Sequence, residues 1–213
     1  MKKAFTMLEL VFVIVIISII TTITLSNRES TTLQEAAIQL ISHIRYTQHL
    51  AFVDDKYNPN DNIWYKRRWQ LIFGKSAYTD YEVSYTIFSD ILATASGNPD
   101  EEEIARNPMD RNRRLTGGHS GTMHIYNDAN KVTKRMNLGL TYGIKTYNLS
   151  GGCSNARLTF DHLGRPLTGN PSSMTMPYQS SRLISQTCRI TLTSDEGSIT
   201  IAVEPETGYA HIL

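Results

Sequence analysis

Met1-Lys2-Lys3-Ala4-Phe5-Thr6-Met7-Leu8-Glu9-Leu10 runs straight into Val11-Phe12-Val13-Ile14-Val15-Ile16-Ile17-Ser18-Ile19-Ile20, and this stretch decides how the chain is built. Two lysines precede about 21 mostly apolar residues, Phe5 to Leu25, in which Glu9 is the one charge. At about 1.5 Å per residue a helix of that length spans about 30 Å, the hydrocarbon thickness of a bilayer. A carboxylate inside such a run costs about 2.5–3.5 kcal/mol to insert, so Glu9 calls for a partner or a task. A cleaved secretory signal needs a shorter apolar region with a small-residue cleavage site behind it. Here Thr21-Thr22-Ile23-Thr24-Leu25-Ser26-Asn27-Arg28 follows, without Ala-x-Ala. The run itself favours an uncleaved anchor over a cleaved signal, and neither accounts for Glu9.

The stretch Ala4-Phe5-Thr6-Met7-Leu8-Glu9-Leu10 resembles the class III signal of type IV pilins and pseudopilins. The resemblance implies that a prepilin peptidase cuts between Ala4 and Phe5 on the cytoplasmic side and methylates the new N-terminus. The family has Gly before the cut, where this chain has Ala4. It also gives Glu9 a role in assembly, since its carboxylate would face the ammonium of Phe5 on a neighbouring subunit. In low dielectric that attraction offsets the desolvation each charge would suffer alone. The alternative is a Glu9 side chain that snorkels to the headgroups. Lys2 and Lys3 before the run give a mild positive-inside bias, so the rest of the chain is expected in the periplasm.

The periodicity carries the helix past the apolar run. No Pro or Gly occurs from Thr32 to Phe52, and Leu33, Ala37, Leu40, Ile44, Thr47 and Ala51 recur at spacings of three and four. Gln34, Glu35, Gln39, Ser42, Arg45 and Gln48 fall off that stripe, which predicts an amphipathic helix. The pattern predicts a single helix from Phe5 to about Val53, with two helices broken near Ser26–Ser30 as the alternative. The resemblance implies the first. The expected divisions are a leader at 1–4, a transmembrane half of the helix at 5–27, an amphipathic half at 28–53, and a β-rich periplasmic domain at 54–213.

Within that domain, short alternating runs predict strands at Trp69–Phe73, Tyr81–Phe88, Thr122–Tyr126, Arg157–Phe160, Arg189–Thr193, Ser198–Val203 and Tyr209–Ile212. Ser194–Gly197 and Pro205–Gly208 read as the two turns of a meander. The expected fold class is α+β, pilin-like, with one long N-terminal helix packed on antiparallel β-sheet. The segment Arg157-Leu158-Thr159-Phe160-Asp161-His162-Leu163-Gly164-Arg165-Pro166, followed by a strand pair and Pro205-Glu206-Thr207-Gly208-Tyr209, resembles the globular domain of GspH/FimT-type minor pseudopilins. That resemblance implies a subunit at or near the tip of a type II secretion pseudopilus or a type IV pilus. Its partners would be other pilin-like subunits, prepilin peptidase and the inner membrane.

Cys153 and Cys188 fit the expected compartment. In an oxidising periplasm they form a disulfide, which in the chain-entropy model contributes about 3–4 kcal/mol; two buried thiols are the alternative.

Three middle segments invite other chemistry. Asp54, Asp55, Asn58, Asn60 and Asp61 gather oxygen ligands as calcium loops do, although EF-hand order and a closing Glu are missing and such clusters also make turns. Trp64-Tyr65-Lys66-Arg67-Arg68-Trp69 interleaves aromatic and basic side chains, as single-strand nucleic-acid binders do, which makes Arg67 and Arg68 candidate DNA contacts. The simpler reading packs Trp64 and Trp69 under the helix. Ala93 to Gly118 is long and charged, with Asp100-Glu101-Glu102-Glu103 and then Arg106, Arg111, Arg113 and Arg114; a solvated excursion with a short helix at Asp100–Arg106, or a subunit contact, would account for it.

Charge argues against nucleic acid as the main partner. Without Lys2 and Lys3 the 21 basic residues fall to 19, against 20 acidic ones, and most DNA-binding domains carry a strong basic excess. A local patch of Arg67, Arg68, Lys131, Lys134 and Arg135 is the remaining route to a pilin-like DNA receptor. No metalloprotease, hydrolase or Cys–His pattern occurs, so no enzyme and no cofactor beyond the calcium candidate is expected.

Overall fold

The computed structural model describes residues 7–92, 96–119 and 123–213, with the backbone alone for 22–31. Helix α1 spans Met7–Val53, 47 residues or about 70 Å. It contains no Gly or Pro to interrupt it, and it ends at Asp54-Asp55 ahead of Pro59. The backbone runs through Ser26–Ser30 as helix, so the single-helix reading holds over the described part.

The remaining elements are β1 (Trp69–Gly74), β2 (Ser84–Ser89), the one-turn helix α2 (Leu138–Tyr142), β3 (Thr146–Gly151), β4 (Arg157–Phe160), β5 (Pro166–Leu167), β6 (Cys188–Ser194), β7 (Gly197–Val203) and β8 (Ala210–Ile212). They form two antiparallel four-stranded sheets, ordered β2-β1-β4-β5 and β3-β6-β7-β8. The fold is therefore α+β with an N-terminal helix on antiparallel sheet. The single sheet implied by the strand reading is two, because β3 and β5 escaped it. Thr146-Tyr147-Asn148-Leu149-Ser150-Gly151 offers only two apolar residues, and Pro166-Leu167 is too short to show a period.

One core lies between α1 and both sheets. Ala36, Ala37, Leu40, Ile41, Ile44 and Ala51 pack there with Leu71, Phe73, Tyr85, Ile87, Leu158, Phe160, Ile190, Leu192, Ile201 and Val203. The stripe is thus buried as its spacing requires, with Thr47 fully buried and its hydroxyl donating to His43 O at 2.8 Å. The meander is present in register, with Ser194 opposite Gly197 and Val203 opposite Ala210.

The back of the first sheet carries a second core of Ile72, Phe88, Ile104, Met123, Ile125 and Val132. Both faces of β1 and β2 are covered, so every residue of the two strands except Trp69 is buried, the polar Gln70, Ser84, Thr86 and Ser89 included. This layer corrects the solvated-excursion reading for the described part of 93–118. Glu103, Ile104, Ala105 and Leu115 to Gly118 are buried, and single bridges join Phe88 to Ile104, Thr86 to Thr116 and Ser84 to Asn137. The charges there serve the backbone. Glu103 accepts the N–H groups of Leu92 (2.8 Å) and Asp100 (3.0 Å), while Arg113 donates to Val132 O at 2.9 Å and Arg114 to Ile104 O at 3.1 Å. The expected short helix at Asp100–Arg106 is one 3-10 turn, Glu101–Glu103.

Three further local readings change. Met123 to Tyr126 is no strand, and Thr122 lies outside the described residues; Met123 and Ile125 alternate inward from a loop whose Ile125 N–H bonds Tyr78 O at 2.9 Å. β2 begins at Ser84 instead of Tyr81, because Asp80 and Tyr81 both adopt positive φ (59° and 58°) and turn the chain. Trp64 sits in a separate cluster with Tyr65 and Met174. Only Trp69 packs beside the main core, and its Nε1 donates to Asp54 at 2.9 Å.

Candidate assembly surface and the clamp on the helix

The described apolar end of α1, Met7 to Thr21, is exposed on every side: Phe12 keeps 61% of its surface and Ile17 57%. A helix apolar all round has no core-facing stripe, and it is stable only where lipid or other helices surround it. Its hydroxyls are already turned inward. Ser18 donates to Ile14 O at 2.7 Å and Thr21 to Ile17 O at 2.6 Å, so neither requires an outside acceptor in an apolar environment. Glu9 is exposed in the first turn of the described helix. Ala4 and Phe5 lie outside the described residues, as does the start of the 5–27 segment. Among the described residues no helix is long and apolar enough to cross a membrane, and the described side chains of the apolar run stop at Thr21.

The other end of α1 is clamped by polar residues flanking its buried stripe. Gln39 donates to Tyr85 Oη (3.0 Å) and Arg135 O (2.7 Å) and accepts from Tyr142 Oη (2.8 Å). His43 Nδ1 lies 2.6 Å from Tyr85 Oη, and burial lowers its pKa to about 4. Burial also raises the Tyr85 phenol. Arg45 donates to Ala210 O at 2.9 Å and lies over the Tyr209 ring. Gln48 Nε2 donates to Gly164 O at 2.8 Å and Thr207 O at 2.7 Å. The two turns that carry the minor-pseudopilin resemblance, Asp161–Arg165 and Pro205–Tyr209, therefore converge on one helix residue. Asp161 shapes the first turn by accepting the N–H groups of Leu163 (3.0 Å) and Arg165 (2.9 Å) and pairing with the Arg165 guanidinium. Gly164 has φ +73°, and a Cβ there would run into the Phe52 ring. Sequence reading assigned Gln39, Arg45 and Gln48 only to the polar side; their positions beside the stripe were the available signal.

Cys153 and Cys188 are joined by a disulfide, with Cα atoms 4.9 Å apart. It ties the segment after β3 to the start of β6, where Gly151 faces Cys188.

The calcium candidates turn their oxygens to local structure. Asp54 binds Trp69 Nε1 and Lys56, Asp55 accepts Tyr57 N–H, Asn58 accepts Asn60 N–H, and Asp61 accepts Ile63 N–H and pairs with Arg67. Asn60 adds an exposed side chain. Among the described residues no cluster of three or more His, Cys, Asp or Glu could hold a metal ion.

Arg67 and Arg68 do not form an open phosphate-binding pair. Arg67 is held by Asp61 at 2.7 Å and by Ile91 O. Arg68 is buried, donates to Pro177 O at 2.7 Å, and lies over Trp64. Lys134 and Arg135 sit near Asn137, at the Ser84 end of β2, whereas Arg68 precedes Trp69 at the Ser89 end. The strand separates them by about 17 Å, so they do not make a single patch with Lys131, which itself pairs with Glu101 at 3.2 Å.

Comparison with known proteins finds no match to any family model, curated protein or solved structure.

Proposed function

We propose that this chain is a minor pseudopilin or pilin-like subunit that assembles into a type II secretion pseudopilus or a type IV pilus, with a structural role and no catalytic one. One observation carries the reading: a helix end apolar on every side continues, without a break in the backbone, into an amphipathic stretch locked onto a disulfide-bonded β domain. In this reading the apolar end packs among neighbouring helices, first in the inner membrane and then in the fibre. Glu9 meets the N-terminal ammonium of an adjacent Phe5 and sets the axial register, and the β domain stands in the periplasm. The disulfide supports that compartment, since such bonds persist where the surroundings are oxidising.

The test is the intact mass of the protein from native membranes, with its N-terminal peptide sequenced. Loss of Met1–Ala4 with a methylated Phe5 is the expected result. A retained Met1 would leave a plain membrane-anchored protein, and a cut beyond Leu25 a secreted one; either result overturns the proposal.

A further inference from the structure

Where β1, β4 and β5 run out, their register sets three charges in a row. Gln70 faces Thr159, and Thr159 faces Leu167. Continued outward by two residues, the same register places Arg68 beside Asp161 and Asp161 beside Arg165, whose carbonyl accepts the Asp161 N–H at 3.0 Å. Leu71, Leu158 and Phe160 face the main core. Arg68, whose backbone is extended, and Asp161 alternate with them and belong to the opposite face of the sheet.

The carboxylate in the middle of this row is fully engaged. A carboxylate offers about four acceptor sites. Asp161 fills them with the N–H groups of Leu163 (3.0 Å) and Arg165 (2.9 Å) and with Nε (2.9 Å) and Nη2 (2.8 Å) of Arg165. Nothing remains for Arg68. Among the described residues Arg68 has no ion pair, and its guanidinium makes a single hydrogen bond, to Pro177 O at 2.7 Å. Yet Arg68 is only 6% exposed. Burial lowers its pKa, although Asp161, Tyr178 and Asp55 oppose that shift without bonding to it. A buried cation is normally paired, because its desolvation otherwise goes uncompensated. The Trp64 ring, 5.9 Å away, is a weak substitute for a carboxylate.

Arg68, Asp161 and Arg165 line a pocket of about 220 Å³ together with the apolar Leu167, Pro177 and Leu183. Tyr178 and Ser180 line it too and are exposed, so it opens to solvent. The volume equals that of about seven liquid waters, more than a bare ion needs. Two guanidinium groups and one carboxylate leave one net positive charge, which a monoanion neutralises. Arginine takes up a carboxylate through paired N–H···O bonds, and Leu167 and Leu183 suit an apolar group attached to it. Inorganic phosphate, more highly charged and polar on every side, matches this lining less well.

We propose that this pocket binds a single carboxylate carried on a small apolar group, with Arg68 as its partner. Arg165 keeps Asp161 occupied and supplies the second positive charge. The carboxylate comes from a free acid or from the end of a polypeptide, and its chemistry at Arg68 is the same in both.

Calorimetric titration of the full-length chain in detergent micelles tests this with N-acetyl-leucine, N-acetyl-leucinamide and inorganic phosphate. The acid is expected to bind with a Kd of about 1 mM or below, and the amide and phosphate at least about tenfold more weakly. Arg68→Gln should weaken binding of the acid about tenfold or more. Should that variant fail to fold, Leu183→Trp fills the pocket without touching a charge and should weaken binding likewise. A short peptide ending in a free leucine carboxylate distinguishes the sources. Binding as tight as the acid's assigns a chain end, and binding at least about tenfold weaker assigns a free acid; both support the proposal. No saturation by about 10 mM acid, equal affinity for acid and amide, or phosphate binding as tight as the acid's overturns it. Full affinity in a folded variant also overturns it. None of these readouts depends on N-terminal processing, so this inference and the proposed function fail separately.

Discussion

The side-chain amide of Gln48 donates to the carbonyl of Gly164 at 2.8 Å. Its second bond, to Thr207 O at 2.7 Å, fastens the other turn to the same point on α1. Gln48→Ala removes both and should cost about 1–2 kcal/mol, because the carbonyl of exposed Thr207 can turn to water while that of buried Gly164 loses its donor. Gly164→Ala should cost more, about 2–3 kcal/mol, since it adds a left-handed backbone penalty to the encounter with Phe52. Urea unfolding of the two full-length variants, followed by near-ultraviolet circular dichroism, checks the order.

Leu40 and Ile38 sit two residues apart on α1 with opposite fates. Leu40 is fully buried in the main core, whereas Ile38 keeps 60% of its surface. Leu40→Ala should destabilise the domain by about 2–5 kcal/mol through lost burial and a residual cavity. Ile38→Ser should change stability by no more than about 0.5 kcal/mol. Equal effects in the same unfolding assay would mean that the amphipathic face has been assigned wrongly.

Half-buried His43 and buried Asp90 pull the acid response in opposite directions. His43 has its pKa lowered to about 4 by burial, so the folded chain holds it neutral while the unfolded chain protonates it near 6.5. Its contribution is present above pH 6.5 and is lost as pH falls toward 4, by about 3 kcal/mol in total. Asp90 has its pKa raised to about 6, chiefly by burial, with the Gly97 N–H bond opposing. Its contribution is present below pH 3.8 and is lost as pH rises through 6. The wild-type profile between pH 4 and 6 should therefore be shallow. His43→Gln should make the chain gain stability on acidification over that window, and Asp90→Asn should steepen the loss. Parallel unfolding curves at pH 4.5, 5.5 and 7 separate the two.

The Cys153–Cys188 bridge closes a loop with a sequence separation of 35. Replacing both cysteines by serine should cost about 3–4 kcal/mol in the chain-entropy model. Reduction of the native chain should lower its unfolding midpoint by a matching amount. A midpoint insensitive to reductant would show that the strands hold the two ends together unaided.

The helix and the meander were legible because each carries a long, one-sided period: Leu33 to Ala51 at three and four, and Ile190 to Val203 at two. β3 was not legible, since its alternation rests on Tyr147 and Leu149 alone and its pairing with β6 lies about forty residues away. The layer from Glu101 to Asn137 was misread for a different reason. Its arginines and glutamates look solvated in sequence, yet they bond backbone carbonyls and amides across the back of the first sheet, which no local pattern encodes. The Gln48 clamp was half visible, as a polar residue beside the stripe and two Gly turns far downstream, with nothing in the sequence to join them.

Because α1 passes from its apolar end to its clamped end as one backbone helix, axial position and domain orientation are a single variable. A neighbour that engages the apolar end one residue further along meets a side-chain pattern turned by about 100°. The Gln39, His43, Arg45 and Gln48 contacts would carry that rotation into the sheets undiminished. In the assembly proposed above the helix would act as a crankshaft: where its apolar end seated would determine which face of the β domain points outward.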